Sequence, residues 1–219
     1  MCAWNPDAGS PPAYAELHCV SNFSFLRGAS HPEELVDTAI ELGYSALAIT
    51  DECSLAGVVR AHGRVREYGQ QSEGPLDFQL IIGSEFALED GFRLIVLVRD
   101  GISYSRLCRL ITSCRRAAPK GSYTITSDMI EQAGLKACCL LLVPPCLPAN
   151  RAQLEPWFNW FKGLSAQSGI ALELHYGLYD AKHLHWLAEV GARHALPLVA
   201  SGDVHMHTCL LYTSDAADE

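Results

Sequence analysis

Seven short apolar runs, separated by stretches of helical periodicity, set the tightest limit on what this 219-residue chain can fold into. The runs lie at 14–18, 44–50, 78–87, 92–98, 136–143, 170–175 and 196–200. Tyr44 to Thr50 is almost continuously apolar, the pattern of a strand covered on both faces of a parallel sheet. Between the runs, apolar spacing predicts helices over about 54–68, 102–117, 126–133, 151–168 and 179–194. A further helix is expected from the N-cap Ser30, with Glu33 completing a capping box, Pro32 in the first turn and Gly43 as its stop. Asp90-Gly91 is a hairpin signal joining the third and fourth runs.

Alternation of this kind is met by an α/β barrel, or a strongly curved parallel sheet, with helices outside. A doubly wound open sheet is the alternative, but the chain carries neither a GxGxxG turn nor a GxxxxGK[ST] loop for a nucleotide. With 49% hydrophobic and 19% charged residues the chain is able to bury one large core. We expect one domain over 14–207, preceded by a loose leader over 1–13 and followed by an atypical tail over 208–219.

Lys and Arg total 16 against 25 Asp and Glu, and the net charge of -9 opposes a general grip on a phosphate backbone. Nine cysteines without a CxxC pair read as reduced thiols, and the N-terminus has no signal-peptide pattern. No apolar run reaches the roughly 18 residues a membrane span needs, so a cytoplasmic protein without membrane partners is expected. The arginines of the 102–117 helix and Trp157, Trp160 and Phe161 read as a solvated face and as core, respectively, rather than as a nucleic-acid surface.

Polar residues gather where these runs end. His18 closes the first, Asp51 and Glu52 follow the second, Glu85 lies in the third, Cys146 follows the fifth, and Asp203 and His205 follow the last. In a barrel these positions share one rim, where a set of imidazoles and carboxylates is suited to a divalent ion and metal-assisted hydrolysis. Each residue also has a plainer reading: Asp51 as the cap of the next helix, Cys146 as a small buried apolar group, Glu52 and Glu85 as solvated side chains. His175, His183, His185 and His194 are read as structural.

The segments Tyr14-Ala15-Glu16-Leu17-His18, Phe23-Ser24-Phe25-Leu26-Arg27-Gly28, Ala48-Ile49-Thr50-Asp51-Glu52, Ile81-Ile82-Gly83-Ser84-Glu85 and Gly202-Asp203-Val204-His205 resemble the polymerase-and-histidinol-phosphatase (PHP) domain. This domain stands at the N-terminus of bacterial C-family DNA polymerase III alpha subunits, and the wording is most like the error-prone branch used in translesion synthesis. The resemblance implies a distorted (β/α)7 barrel of the PHP type, whose rim in active relatives holds two or three metal ions for phosphoester hydrolysis. It assigns His18, Glu85, Cys146, Asp203 and His205 as metal ligands, with zinc or manganese as the ion, and leaves His207 outside the motif.

Other ligand positions depart from the pattern: Val20, Arg27, Glu52 and Arg93 stand where histidine or acidic ligands are usual. Valine cannot ligate, and an arginine about 4 Å from a divalent ion is repelled by several kcal/mol at an effective dielectric near 20. Arg27 and Arg93 are therefore expected to pair with Glu52, Glu85 and Asp203, replacing metal by salt bridges and leaving low occupancy. The resemblance makes the parent a DNA-directed DNA polymerase, a nucleotidyltransferase whose magnesium-binding body is absent from this chain. The implied partners are that body, DNA through the full-length enzyme, and other damage-tolerance proteins. The fragment itself is expected not to extend primers and to act mainly structurally; the alternative is a free-standing metal-dependent phosphoesterase. The segment from Thr208 onward matches nothing in the family and is expected to reflect truncation or foreign sequence.

Overall fold

In the computed structural model, which describes residues 13–72, 74–146, 151–175 and 177–208, seven strands form one sheet in the order β1-β2-β3-β4-β5-β6-β7. Most of the expected leader and tail, with Cys2 and Cys209, lies outside the described residues. The strands are β1 Ala15–Cys19, β2 Ala46–Ile49, β3 Gln79–Ala87, β4 Arg93–Leu97, β5 Cys139–Val143, β6 Ser168–Leu172 and β7 Leu198–Ala200. Six helices accompany them: α1 Pro32–Glu41, α2 Val58–Gln71, α3 Gly101–Arg116, α4 Ser127–Ala133, α5 Glu155–Lys162 and α6 Asp180–His194. The sheet curls into a nearly closed barrel. Its ends meet just past β1 and β7, where Val20 N–H donates to Val204 O and Val204 N–H to His18 O, both at 2.9 Å.

Inward and outward residues follow the two-residue period of a strand. Inside the barrel, Ala48, Ile81, Ile95, Leu97, Leu141, Val143, Ala171 and Val199 form one cluster. The alternate residues Phe86, Leu94, Val96, Leu140, Leu142 and Ile170 face out, into a larger core with Leu107, Leu110, Phe158, Phe161 and Trp186 of the helices. Helices α1 and α2 cover β1 and β2 through Leu35, Val36, Ala39 and Ala61. Trp157 and Trp160 pack against the larger core, and their indole N–H groups donate to Asp90 and Glu131.

Strand β4 runs antiparallel to both neighbours, while the other pairs are parallel. The expected Asp90-Gly91 turn makes this reversal, with both residues at positive φ (55° and 78°). The first residue of β4, Arg93, consequently stands at the rim reached by the last residues of the parallel strands. The helix expected from Ser30 starts one residue late: His31 is the N-cap, its N–H donating to Glu34 Oε2 at 2.8 Å. Ser30 Oγ is instead taken across the seam by His207, whose backbone N–H donates to it at 2.8 Å. Asp51 does not cap α2, whose N-cap is Gly57. The expected 151–168 helix is also too long: α5 stops at Lys162, and Ser168 already belongs to β6. Arg115 is not merely solvated, since its guanidinium donates to the carbonyls of Glu52 and Cys53 at 3.2 Å each.

Candidate functional site

His18 is the fully buried centre of the rim. Its Nε2 lies 2.8 Å from Glu85 Oε2, its Nδ1 2.6 Å from Glu173 Oε1 and 3.5 Å from Asp203 Oδ1. Both ring nitrogens of His18 thus face carboxylate oxygens. Strand parity explains the convergence: Glu85 continues the inward row of Ile81 and Gly83 on β3, and Glu173 continues that of Gly169 and Ala171 on β6. Irregular register between Glu16 and Cys19 lets Leu17 join the interior cluster while His18 still faces the rim. Asp203 has a φ of 48°, left-handed for a residue with a side chain, and Gly202 before it is tightly placed, since a Cβ there would come 2.5 Å from Glu16 Oε2.

The arginines enter this cluster. Arg27 donates to Glu52 Oε2 at 3.0 Å and makes a short contact to Glu85 Oε1. Arg93 lies 3.4 Å from Asp203 Oδ2 and 3.9 Å from Glu85 Oε2. Tyr123 donates to the other oxygen of Glu52 at 2.8 Å, and His205 Nε2 lies 2.9 Å from Asp203 Oδ1. Four carboxylates, Glu52, Glu85, Glu173 and Asp203, are thus partnered from within by two guanidiniums and two imidazole rings. Val20 is fully buried and uses its backbone to close the seam. Arg27 is held there by its loop: Asp51, fully buried, accepts from Ser21 N–H at 2.8 Å, from Ser21 Oγ and from Ser24 Oγ at 2.7 Å.

Among the described residues, the group of His, Cys, Asp and Glu side chains able to share one ion is His18, Glu173 and Asp203, with ligand atoms within 4.8 Å of one another. Glu85 and His205 adjoin this group but are not part of it. Cys146 is exposed on the wall of a pocket of about 170 Å³ shared with Arg93, Glu173, His175, His183 and Asp203. Glu173 lies inside the 170–175 run and so is absent from the strand-end candidates, and its inward direction is the signal that would have found it. The alternation Ala171-Leu172-Glu173 carried that signal. His175 and His183, read as structural, prove to line the rim pocket, and burial pushes the His183 imidazole down.

As a metal centre the set fits poorly. Both nitrogens of His18 are engaged by carboxylates, Arg93 stands against Asp203, and Arg27 stands against Glu85. The residues do not fit a cluster of two or three ions.

Burial pushes the Asp203 carboxyl up, but the His205 hydrogen bond and the charges of His18, His205 and Arg93 outweigh it and hold the group well below the usual carboxylate range. A depressed native value adds stability that is present above the ordinary aspartate value of 3.8 and is lost as pH falls below it. Urea unfolding between pH 5 and pH 3 is expected to show this loss, and Asp203→Asn to flatten the profile. An unchanged slope in the variant would assign the acid sensitivity to other groups.

A barrel of alternating strands and helices with a histidine and carboxylate cluster at one rim defines a class of protein, and sequence similarity supplies the family. The PHP domain pattern matches residues 16–175, so the chain belongs to the PHP domain family. An error-prone DNA polymerase of Dechloromonas aromatica is 48% identical over 202 residues, covering 90% of this chain and 18% of the polymerase. One of Methylococcus capsulatus is 47% identical over 195 residues, covering 89% and 17%. The chain therefore spans less than a fifth of the length of these two polymerases. Among solved structures, a Bifidobacterium adolescentis protein described as a metal-dependent phosphoesterase superposes with a TM-score of 0.62 at 16% identity, covering 89% of this chain and 88% of that one. That likeness concerns the fold. No helix among the described residues is long and apolar enough to cross a membrane.

Proposed function

We propose that this chain is the PHP domain, over 14–207, of an error-prone DNA polymerase acting in translesion synthesis, and that its rim is a structural element rather than a hydrolytic centre. The observation that carries this reading is the pairing of Arg27 with Glu52 and Glu85 and of Arg93 with Asp203. Two fixed cations occupy the space that a multinuclear centre needs, and they satisfy its carboxylates. The parent enzyme would join nucleotides to a primer in its polymerase body, with magnesium held there, and would meet DNA and damage-tolerance partners in the cytoplasm.

The purified chain is expected to contain metal far below one ion per molecule, to keep its melting midpoint in EDTA, and to be inactive on bis(p-nitrophenyl) phosphate with zinc or manganese. Primer extension by the chain alone should be blank. The second reading, a free-standing phosphoesterase, rests on the proximity of His18, Glu173 and Asp203. Near-stoichiometric zinc or manganese, with hydrolysis abolished by Asp203→Asn, would replace our reading by that one.

A further inference from the structure

Helix α3 and the turn after it carry a charge distribution unlike that of the rest of the chain. Residues 101–127 hold Arg106, Arg109, Arg115, Arg116 and Lys120 and neither Asp nor Glu, the longest stretch of this acidic chain without a carboxylate side chain. Ser103, Leu107, Leu110 and Cys114 turn α3 onto the core, so the opposite face presents Ser105, Arg109, Thr112 and Arg116, all exposed. Lys120, also exposed, extends this row past the helix. Arg109 and Arg116 are two turns apart, about 10 Å along the axis.

A solvated structural face accounts for only part of this row. The helix dipole favours Arg115 and Arg116 in the last turn, and Arg106 and Arg115 donate to backbone carbonyls, of Gly134 and of Glu52 and Cys53. Arg109 stands in mid-helix, where the dipole gives nothing, and Arg106 three residues before it is a like charge that weakens a helix. Other helices offset their arginines with carboxylates: Arg60 with Glu33, Arg64 with Asp37 and Glu67, and Arg193 with Glu155. Among the described residues, Arg109, Arg116 and Lys120 take part in no ion pair; the arginines that do are Arg27, Arg60, Arg64, Arg93 and Arg193. Asp100 and Glu131, at the edges of this region, accept from Ser103 and Trp160.

Helix α3 follows β4, the middle strand of seven, and so lies across the barrel from the β1–β7 seam. Because β4 runs away from the rim, α3 returns toward it, and Arg115 reaches the carbonyls of Glu52 and Cys53 there. The cationic row thus climbs the outside of the barrel to the rim. From Ser105 to Lys120 it contains no aromatic residue and no exposed large apolar one. A protein interface needs an apolar centre, and a single-strand platform needs aromatic rings on which bases stack. Guanidiniums and an ammonium without either match the phosphates of a duplex, which presents one negative charge about every 1.7 Å of its axis.

We propose that the outward face of α3, with Lys120, is a contact surface for the phosphate backbone of duplex DNA, blind to base sequence. The net charge of -9 opposes a general grip, so the contact is confined to this row. The inference rests on reading the chain as part of a DNA polymerase, and it gives the PHP domain a share in holding the duplex.

The test is the binding of a fluorescein-labelled duplex of about 20 base pairs to the 219-residue chain, followed by anisotropy from roughly 25 to 200 mM NaCl. Arg109→Ala, Arg116→Ala and Lys120→Ala together are expected to weaken binding about tenfold or more at the lowest salt. They should also lower the slope of log K against log salt by about 2–3, near 0.9 per lost contact. A control with the same loss of charge, Arg66→Ala with Lys162→Ala and Lys182→Ala, should bind as the parent chain does. All six side chains are exposed, and equal melting midpoints check that both triples keep the fold. Should the first triple melt early, Arg109→Ala and Arg116→Ala singly give the same test through a slope lowered by about 0.9 each. Absence of binding at the lowest salt, or equal loss in the two triples, would overturn the proposal. So would displacement of the labelled duplex by poly-L-glutamate as readily as by unlabelled duplex, which would assign the row to an acidic polypeptide. Sequencing the DNA downstream tests the polymerase reading separately. A missing polymerase frame would end that reading and leave the binding result standing, whereas absence of binding would end the surface proposal alone.

Discussion

Replacing Glu85 by glutamine is expected to lower the unfolding free energy by about 3–5 kcal/mol, the cost of removing one partner from a buried ion pair. The Glu85 carboxylate is 1% exposed and touches His18, Arg27 and Arg93 at once. Glutamine keeps the shape and one acceptor oxygen but withdraws the negative charge. The guanidinium of Arg27 would then lose its buried counter-charge, beside the fully buried ring of His18. For a domain of this length a loss of that size lowers the melting midpoint by roughly 10 °C. Chemical denaturation gives the value directly. The pair Glu85→Gln with Arg27→Met should cost less than the sum of the two changes, because the second removes the charge that the first strands. A loss below about 1 kcal/mol, the range of an exposed ion pair, would show that water screens the rim.

The second large effect is expected at Asp51, which holds the loop carrying Arg27. Its carboxylate accepts from one backbone N–H and two hydroxyls, with no cation among those partners. Asp51→Ala would leave three donors without an acceptor, and a buried unsatisfied donor costs roughly 1–3 kcal/mol. We expect a loss of about 3 kcal/mol and faster hydrogen exchange across residues 21–28. Asp51→Asn retains one acceptor oxygen and should lose less. If exchange in that loop stays unchanged in Asp51→Ala, the turn bonds that the Arg27 and Gly28 N–H groups donate to Ser24 O suffice to hold it.

These expectations bear on how the rim came to be as it is. A metal centre needs carboxylates gathered in a dry site, and such a gathering is unstable without positive charge. Here Arg27 and Arg93 bring that charge from a loop and from the first residue of a reversed strand. The position of Arg93 would not serve if β4 ran parallel, because it would then lie at the far mouth.

Much of this was legible in the residues alone. Seven apolar runs marked seven strands, since burial on both faces removes the polar alternation of an exposed strand. The strand-end positions of His18, Glu85 and Asp203, and the pairing of the two arginines with nearby carboxylates, followed from residue chemistry and from resemblance to a family. Local signals failed where a distant partner competed. Ser30 gave up its role as a cap because His207, on the other side of the seam, takes its hydroxyl. Asp51 bonds to the first loop instead of capping the next helix.

The sequence by itself determined the order of elements, the α/β class and the charge types available at the rim, because periodicity and residue chemistry are local properties. Only the tertiary structure decided that Glu173 rather than Cys146 joins His18 and Asp203, and that Ser30 and Asp51 bond across the fold instead of capping helices. Those features depend on how strands separated by up to 186 residues, as Glu16 and Gly202 are, come to share hydrogen bonds and space.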